Sequence, residues 1–585
     1  MARRNLYLLI LLFISALMLS QCANPVSPEG GKKDVIPPRL LAADPPNRTT
    51  HFKAGKVELY FDEFINLKDP STQIIVAPPT LTTTEYRVRG KNLVVDIQDK
   101  LNPNTTYNIN FGSSIQDLTE NNVLKNFRYV FSTGSFIDSL SLNGNVTDAF
   151  DLTPQKEVYA MLYINNNDTI PFDSLPYKVK PYYITKTNET GDFGFTHLSD
   201  QPLLLFALND KNGNAMYDIP EEKIAFLDSL VTGYYIPAED TIMADSVRKD
   251  TVSKTDSTRT FTTISVLKDT TVSKVPSSAF PVFKLRMFVE EDTVQKLLKK
   301  ETVKEGELAL YFRNPLRDGK ITPLKNADLA FLEEYSTRKD TLYLWLKKPQ
   351  EDTLHFLISQ QERVIDTVAF PPVKAKPRRD KKAEKLSVIS NMSDGTLNYF
   401  KNEPRFVFSA PLELADLTKV KIANGKDTIP VKITFTDSIH RRIVVHHNWQ
   451  ESTSYTLIFP DSIFYAFNGI TNDSMLVGFK TRGLKDLGSL TIETSSEKQS
   501  NNYIYQLLND KEKLIEEFAL IKPGKIKFDF LSPGSYKVKV ILDRNQNGKW
   551  DPGNYIKRIQ PEWVFYYPAK IEIRANWDVE EKWDF

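Results

Sequence analysis

The sequence predicts an all-β protein, a string of β-sandwiches joined by linkers behind an export leader, and three observations carry that reading. The composition is rich in Phe (35), Tyr (25) and Pro (34) and poor in Gly (23). Aromatics suit half-buried pleated strands, and prolines suit strand ends and edges. A short alternating apolar strand recurs three times along the chain, and the N-terminus reads as an apolar leader. At 585 residues the chain exceeds a single core, and a prior of ~150 residues per domain suggests about four units. Lys+Arg at 75 against Asp+Glu at 74 leaves almost no net field, so nothing favours nucleic acid or an anionic membrane face.

The leader comes first. Arg3 and Arg4 form a positive start, and residues 8–19 are apolar apart from Ser15. That run falls short of the roughly 20 residues a spanning helix needs, so it reads as a signal peptide over residues 1–21. It ends at Leu19-Ser20-Gln21-Cys22, and Cys22 is the chain's one cysteine. This arrangement resembles a bacterial lipobox, with Gln21 where that pattern has a small residue. The resemblance implies that the Cys22 thiol takes a diacylglycerol and begins the mature chain, giving a lipid anchor in the outer membrane. The plainer alternative is a cleaved leader followed by a free thiol. Residues 22–34, with Pro25, Pro28, Gly30 and Gly31, form a tether.

The repeated strand appears as Lys56-Val57-Glu58-Leu59-Tyr60-Phe61, as Glu307-Leu308-Ala309-Leu310-Tyr311-Phe312 and as Phe406-Val407-Phe408. Alternation with one apolar face is the pattern of a sandwich strand. The first and third copies share their ends as well. Asn104-Thr105-Thr106-Tyr107 parallels Ser452-Thr453-Ser454-Tyr455, and in both the spacing from that tyrosine to a later threonine (Thr133, Thr481) is 26 positions. Matched chemistry at matched spacing reads as duplication.

The Pro37-Pro38 entry, the strand ending Phe61-Asp62-Glu63, Ile74-Ile75-Val76 before Pro78-Pro79, and the exit Phe131-Ser132-Thr133-Gly134 resemble the bacterial Ig-like domain of S-layer-associated proteins. The tether resembles that of Bacteroidota lipoproteins beginning with such a domain. The resemblance covers residues 35–134 best, then 385–483, then a divergent copy at 280–372. Residues 135–232, with Asn143-Gly144-Asn145 and Thr190-Gly191-Asp192-Phe193-Gly194-Phe195, resemble the transthyretin-like sandwich called the carboxypeptidase regulatory-like domain. Residues 484–585 carry a related tail, Pro533-Gly534-Ser535-Tyr536. Two linkers separate the blocks: a Ser/Thr/Asp-rich one at 233–279 and a basic one at 373–384.

The strongest chemical motif is also duplicated. Asp210, Asn212, Asn214 and Asp218 follow an apolar strand, as do Asp543, Asn545, Asn547 and Asp551. Hard oxygen donors at positions 1, 3, 5 and 9 resemble the first half of a calcium loop. The competing reading is a hairpin turn whose Asx side chains bond their own backbone. Both stay open. Calcium is the only cofactor entertained, and none is required. In the long linker the triplets at Thr241, Ser246, Thr251, Ser257 and Thr270, each preceded by Asp, resemble the O-glycosylation acceptor of Bacteroidota envelope proteins; a chance product of the tract's composition is the alternative.

No nucleophile elbow, zincin helix, phosphate loop or cysteine nucleophile is present in the sequence, so no enzyme activity is expected. His446 and His447 are adjacent on a strand and point to opposite faces. The expected function is a non-catalytic outer-membrane lipoprotein that acts as a scaffold or docking subunit of an envelope protein complex, on either the periplasmic or the surface face. The alternative is a glycan-binding surface lipoprotein using Trp563, Phe565, Tyr566, Tyr567, Trp577 and Trp583. Expected partners are the membrane through the anchor, envelope proteins and, on the alternative, glycans; nucleic acid is not one.

Overall fold

The computed structural model describes residues 33–80, 84–125, 127–165, 171–235, 281–325, 328–372, 384–392, 394–425 and 427–585. Cys22, the leader, most of both linkers and the five linker acceptor residues lie outside them. Strands dominate the described chain. Its two α-helices, Pro70–Gln73 and Leu175–Lys178, have four residues each, and among the described residues no helix is long and apolar enough to cross a membrane. The strands sort into many separate sheets, none closed into a barrel. The all-β expectation holds.

Two compact units emerge. Among the described residues, the first holds those within 33–146, 155–217 and 226–285, and the second those within 286–585 together with two short segments, 147–154 and 218–225.

In the first unit, alternation does what the sequence asks of it. In Lys56–Phe61, Val57, Leu59 and Phe61 are buried while the residues between them are not. The strand pairs antiparallel with Asn92–Asp96, setting Leu59 opposite Leu93 and Val57 opposite Val95. Its sheet faces a second one in which Thr106–Asn110 lies between Ile75–Ala77 and Arg128–Ser132. Phe131 fills the gap between the sheets, 3.9 Å from the Phe52 ring and stacked at 5.3 Å on Tyr107. The next sandwich sets Asp192–Leu198, Leu140–Asp148 and Tyr234–Tyr235 in one sheet and Tyr183–Lys186, Tyr159–Ile164 and Leu203–Asn209 in the other. Leu203–Asn209 is buried over six consecutive residues, the mark of a strand covered on both faces.

The second unit holds three sandwiches. One has Leu297–Lys304, Glu307–Phe312, Thr341–Leu346 and Phe331–Tyr335 against Gly319–Pro323, Leu354–Gln360 and Arg363–Phe370. Another sets Val388–Ser390, Arg405–Phe408, Arg442–His446 and Lys432–Phe435 against a five-stranded sheet that includes Ser454–Phe459 and Met475–Thr481. In the last, Asp578–Asp584 pairs parallel with Gly488–Ser495, and the facing sheet runs Leu514–Leu520, Asn502–Asn509, Gly534–Asp543 and Val564–Tyr566. Each has its own apolar core.

The Tyr/Thr spacing read from the sequence corresponds to one hydrogen-bond set built twice. Tyr107 Oη accepts the Asn102 N–H at 2.8 Å, and Tyr455 Oη accepts the Gln450 N–H at 3.1 Å. Thr133 Oγ1 accepts the Thr105 N–H at 3.0 Å and donates to the Asn102 carbonyl at 2.7 Å. Thr481 Oγ1 accepts the Thr453 N–H at 2.9 Å and donates to the Gln450 carbonyl at 2.5 Å. Each pair pins a strand-to-strand corner, as buried polar groups at such corners must be satisfied locally. Thr481→Val keeps the shape and strands both partners, so it is expected to cost about 1–3 kcal/mol, read as a lower urea midpoint with an unchanged slope.

Candidate functional site

The duplicated Asp/Asn loops fold as closed turns. Asp210 Oδ1 accepts the N–H of Asn212 (3.0 Å) and Gly213 (2.7 Å), and its Oδ2 accepts that of Ala215 (2.6 Å). Asn212 and Asn214 each accept the N–H two residues on, from Asn214 and Met216. Ala215 takes a left-handed φ of 57°, at the same loop position as Gly548 at 76°. Asp218 belongs to the second unit, where its N–H donates to the fully buried Glu222.

In the other copy, Asp543 accepts the N–H of Asn547 (3.2 Å) and Gly548 (3.0 Å). The amide nitrogens of Asn545 and Asn547 turn inward and donate to Asp551 Oδ2 at 2.5 and 2.6 Å. Glu562, buried nearby, accepts the N–H of Arg544 and Asp551; burial pushes its carboxyl upward against those two donors. The oxygens at positions 1, 3 and 5 of both copies are thus engaged with backbone donors, the geometry of linked Asx turns. Among the described residues no three His, Cys, Asp or Glu side chains gather as a metal-holding group.

The adjacent histidines part as alternation requires. His446 lies between Glu403 Oε1 (2.8 Å) and Thr434 Oγ1 (2.7 Å), while His447 packs edge-on against Trp449 and Tyr455. Of the C-terminal aromatics, Trp583 is in the core, packed with Tyr567 and Phe565 around it. Trp563 stacks on Phe565, and its ring has Arg286 at 4.4 Å and Lys498 at 4.5 Å. Trp577 is 54% exposed, with Arg574 at 4.9 Å.

In the first unit, His197 is the most perturbed imidazole. Burial foremost, then the positive charges of Arg48 and Arg128, push its pKa down to about 4. The folded state therefore keeps this ring neutral, while an unfolded chain protonates it near 6.5. Stability of the first unit is expected to fall as pH drops from about 6.5 to about 4, by on the order of 1–3 kcal/mol. His197→Asn suits the left-handed φ of 61° and removes the titration. Hydrogen exchange of this unit against pH checks the effect, and the variant should flatten the profile.

The feature that sequence reasoning missed is a cleft of about 1060 Å³ within the second unit. Its apolar surface comes from Phe150, 40% exposed, and Val289, 38% exposed, with the Trp550 ring also in the lining; Met287, Ile504 and Ile541 lie buried behind them. Carboxylates outnumber cations eight to four among its lining side chains. Three of those cations are held in ion pairs: Lys223 with Asp148 (2.7 Å), Arg313 with Asp292, and Lys549 with Glu291 (3.8 Å). Beneath Phe150 lies Lys539, only 1% exposed, its Nζ 3.1 Å from the Phe150 ring centroid and 5.6 Å from that of Tyr566. Burial pushes its pKa down to about 8, against the pull of Asp151, Glu512 and Asp148. The one sequence signal here was the acidic run Glu290-Glu291-Asp292, which by itself reads as a solvated stretch.

Residues 34–133 match the family described as bacterial Ig-like domain. No curated protein matches the sequence. Among solved structures, the Bacillus anthracis TIE protein aligns at 10% identity and TM-score 0.14, over 95% of this chain and 76% of its own. Surface layer protein SbsC, domains 1–6, aligns at 10% identity and TM-score 0.13, over 92% and 67%. BcpA, the major pilin subunit of Bacillus cereus, aligns at 8% identity and TM-score 0.13, over 76% and 99%. The chain therefore carries a bacterial Ig-like domain at residues 34–133 within an all-β build.

Proposed function

We infer that this chain is a non-catalytic lipoprotein of the outer membrane that serves as a scaffold or docking subunit of an envelope protein complex. The observation that supports this reading best is how the second unit joins its sandwiches. Glu334, its side chain 5% exposed, accepts the Trp345 indole N–H at 3.0 Å and is clamped by Arg441 (2.9 Å) and Arg442, from the neighbouring sandwich. Trp345 itself packs into that neighbour's core. Further on, Asn398 donates to the Phe530 carbonyl at 2.7 Å, Phe400 stacks on Phe530 at 4.8 Å, and Lys401 pairs with Glu516. Sandwiches locked to one another by buried charge and stacked rings hold fixed surfaces at fixed spacing, which is what a scaffold needs. Of the rings the glycan-binding alternative would use, Trp583, Phe565 and Tyr567 pack in or against the core, which leaves Trp563 and Trp577 as its exposed candidates, each with a cation over one face.

The anchor rests on Cys22 and its leader. Cys22→Ser is expected to move the protein from the membrane fraction to the soluble one, since acyl chains supply the attachment. Detergent phase partitioning and intact mass read the result. An unmodified wild-type mature chain in the aqueous phase would sink the anchor. Docking is tested by in-cell crosslinking and mass spectrometry of the tagged full chain, where absence of any stoichiometric envelope partner counts against it.

A further inference from the structure

The joint between the two sandwiches of the first unit gathers positive charge and gives it no counterion. Asp192–Leu198 slips register against Leu140–Asp148: Phe195 pairs with Leu142 and Leu198 with Leu140, which leaves Thr196 and His197 opposite Ser141. Successive strand residues ordinarily point to opposite faces. This bulge brings the two side chains to one side, with Thr196 Oγ1 3.0 Å from His197 Nδ1. Arg128, from the neighbouring sandwich, donates to the same Thr196 oxygen at 2.7 Å. Among the described residues the threonine hydroxyl has no acceptor other than Nδ1. Its proton therefore goes there, and the ring proton sits on Nε2 as an outward donor.

Arg48 is set beside this pair by a clasp on the Arg128 strand. Asn47 Nδ2 donates to the Arg128 carbonyl at 3.3 Å, and Asn47 Oδ1 accepts the Val130 N–H at 2.9 Å. The Arg48 N–H then donates to the Val130 carbonyl at 2.7 Å. The charges that bear on His197 are those of Arg48 and Arg128.

Neither arginine has a carboxylate partner among the described residues. The polar residues lining the small crevice beside Arg128 are Asn108, Asn110, Tyr183, Thr185 and Thr196, and none is acidic. Burial alone moves the Arg128 pKa, downward. A half-buried guanidinium left without a counterion is costly, because its donors have lost water and regained one hydroxyl. A metal ion or an amine would meet only donors here. An anion with several oxygens in a tetrahedral array meets donors from each side, and the arginine fork fits phosphate oxygens in pairs.

We propose that Arg48, Arg128 and His197 bind a phosphate group at this joint, either as free phosphate or as the headgroup phosphate of a lipid.

Isothermal titration of the full chain in non-ionic detergent with inorganic phosphate, at an ionic strength held constant with chloride, tests the site. Saturable binding is expected. Affinity should fall roughly tenfold or more in Arg48→Gln and in Arg128→Gln, the loss of one charged hydrogen bond. Arg48 is exposed, so its variant keeps the fold, checked by circular dichroism. Hydrogen exchange should place the protection given by phosphate on residues 128–132 and 192–198. Flotation of the Cys22→Ser chain with phosphatidylcholine vesicles, with and without phosphatidic acid, separates the two sources. Flotation that needs phosphatidic acid and is lost in Arg48→Gln assigns the lipid phosphate; binding of inorganic phosphate without flotation assigns the free anion. Phosphate heats no larger than those of chloride, together with no lipid-dependent flotation, overturn the proposal. Undiminished binding by both arginine variants overturns it as well.

Discussion

Glu334→Ala is expected to destabilise the second unit by about 3–4 kcal/mol, within the range for breaking a buried ion pair by removing one member. The carboxylate answers three donors at once: the buried Trp345 indole and the guanidinium groups of Arg441 and Arg442. Without it, the indole N–H has no acceptor in an apolar surround, and Arg441, its side chain 20% exposed, holds a charge that is poorly hydrated. Arg442 is 40% exposed and recovers water, which keeps the loss below the top of the range. Glu334→Gln retains an acceptor for the indole and should cost roughly half as much. Guanidinium denaturation followed by tryptophan fluorescence reads both. Because Glu334 and its arginines sit on different sandwiches, the alanine variant should also separate one unfolding transition into two. Loss of less than about 1 kcal/mol would mean that the cluster is solvated like a surface pair.

Lys539→Met is expected to act in the opposite direction, stabilising the second unit by about 1–2 kcal/mol at pH 7. A depression from the ordinary 10.5 to about 8 corresponds to roughly 3 kcal/mol of cost for holding the ammonium in the fold. The ring of Phe150 returns part of that through its π face. The sign with pH is definite. Between about 8 and 10.5 the unfolded chain holds a proton that the folded chain has released, so wild-type stability rises with pH across that window. The advantage of the methionine should shrink over the same range. Denaturation of both proteins at pH 7, 9 and 10.5 checks it; a methionine variant that is less stable at pH 7 would show the cation–π contact to outweigh the burial cost.

These two residues mark where reading by pattern stops. In Gly534–Asp543, alternation correctly sends Tyr536, Val538, Val540 and Leu542 to the core and leaves Lys537, Lys539 and Ile541 on the other face. Nothing in the strand says that the other face is itself covered. Phe150, which caps Lys539, lies 389 positions earlier in the chain. Glu334 and Arg441 are 107 positions apart, and each alone looks like an exposed charge. By contrast, the Tyr455–Thr481 corner was legible because its partners recur at the same spacing in Tyr107–Thr133, so the chain carries its own internal comparison. The Asp/Asn loops fall between these cases. Their spacing announces a turn with convergent oxygens, while the direction each amide faces comes only from the packed loop.

Sequence alone determined the all-β build, because strand period, turn residues and aromatic content are local properties written every second residue, and the motifs of residues 35–134 carried the resemblance to bacterial Ig-like domains. Tertiary structure alone decided which polar faces became buried joints and where carboxylates gather around a cleft. Those outcomes depend on which surfaces meet, and the free energy of a charge is set by what covers it rather than by its neighbours in the chain.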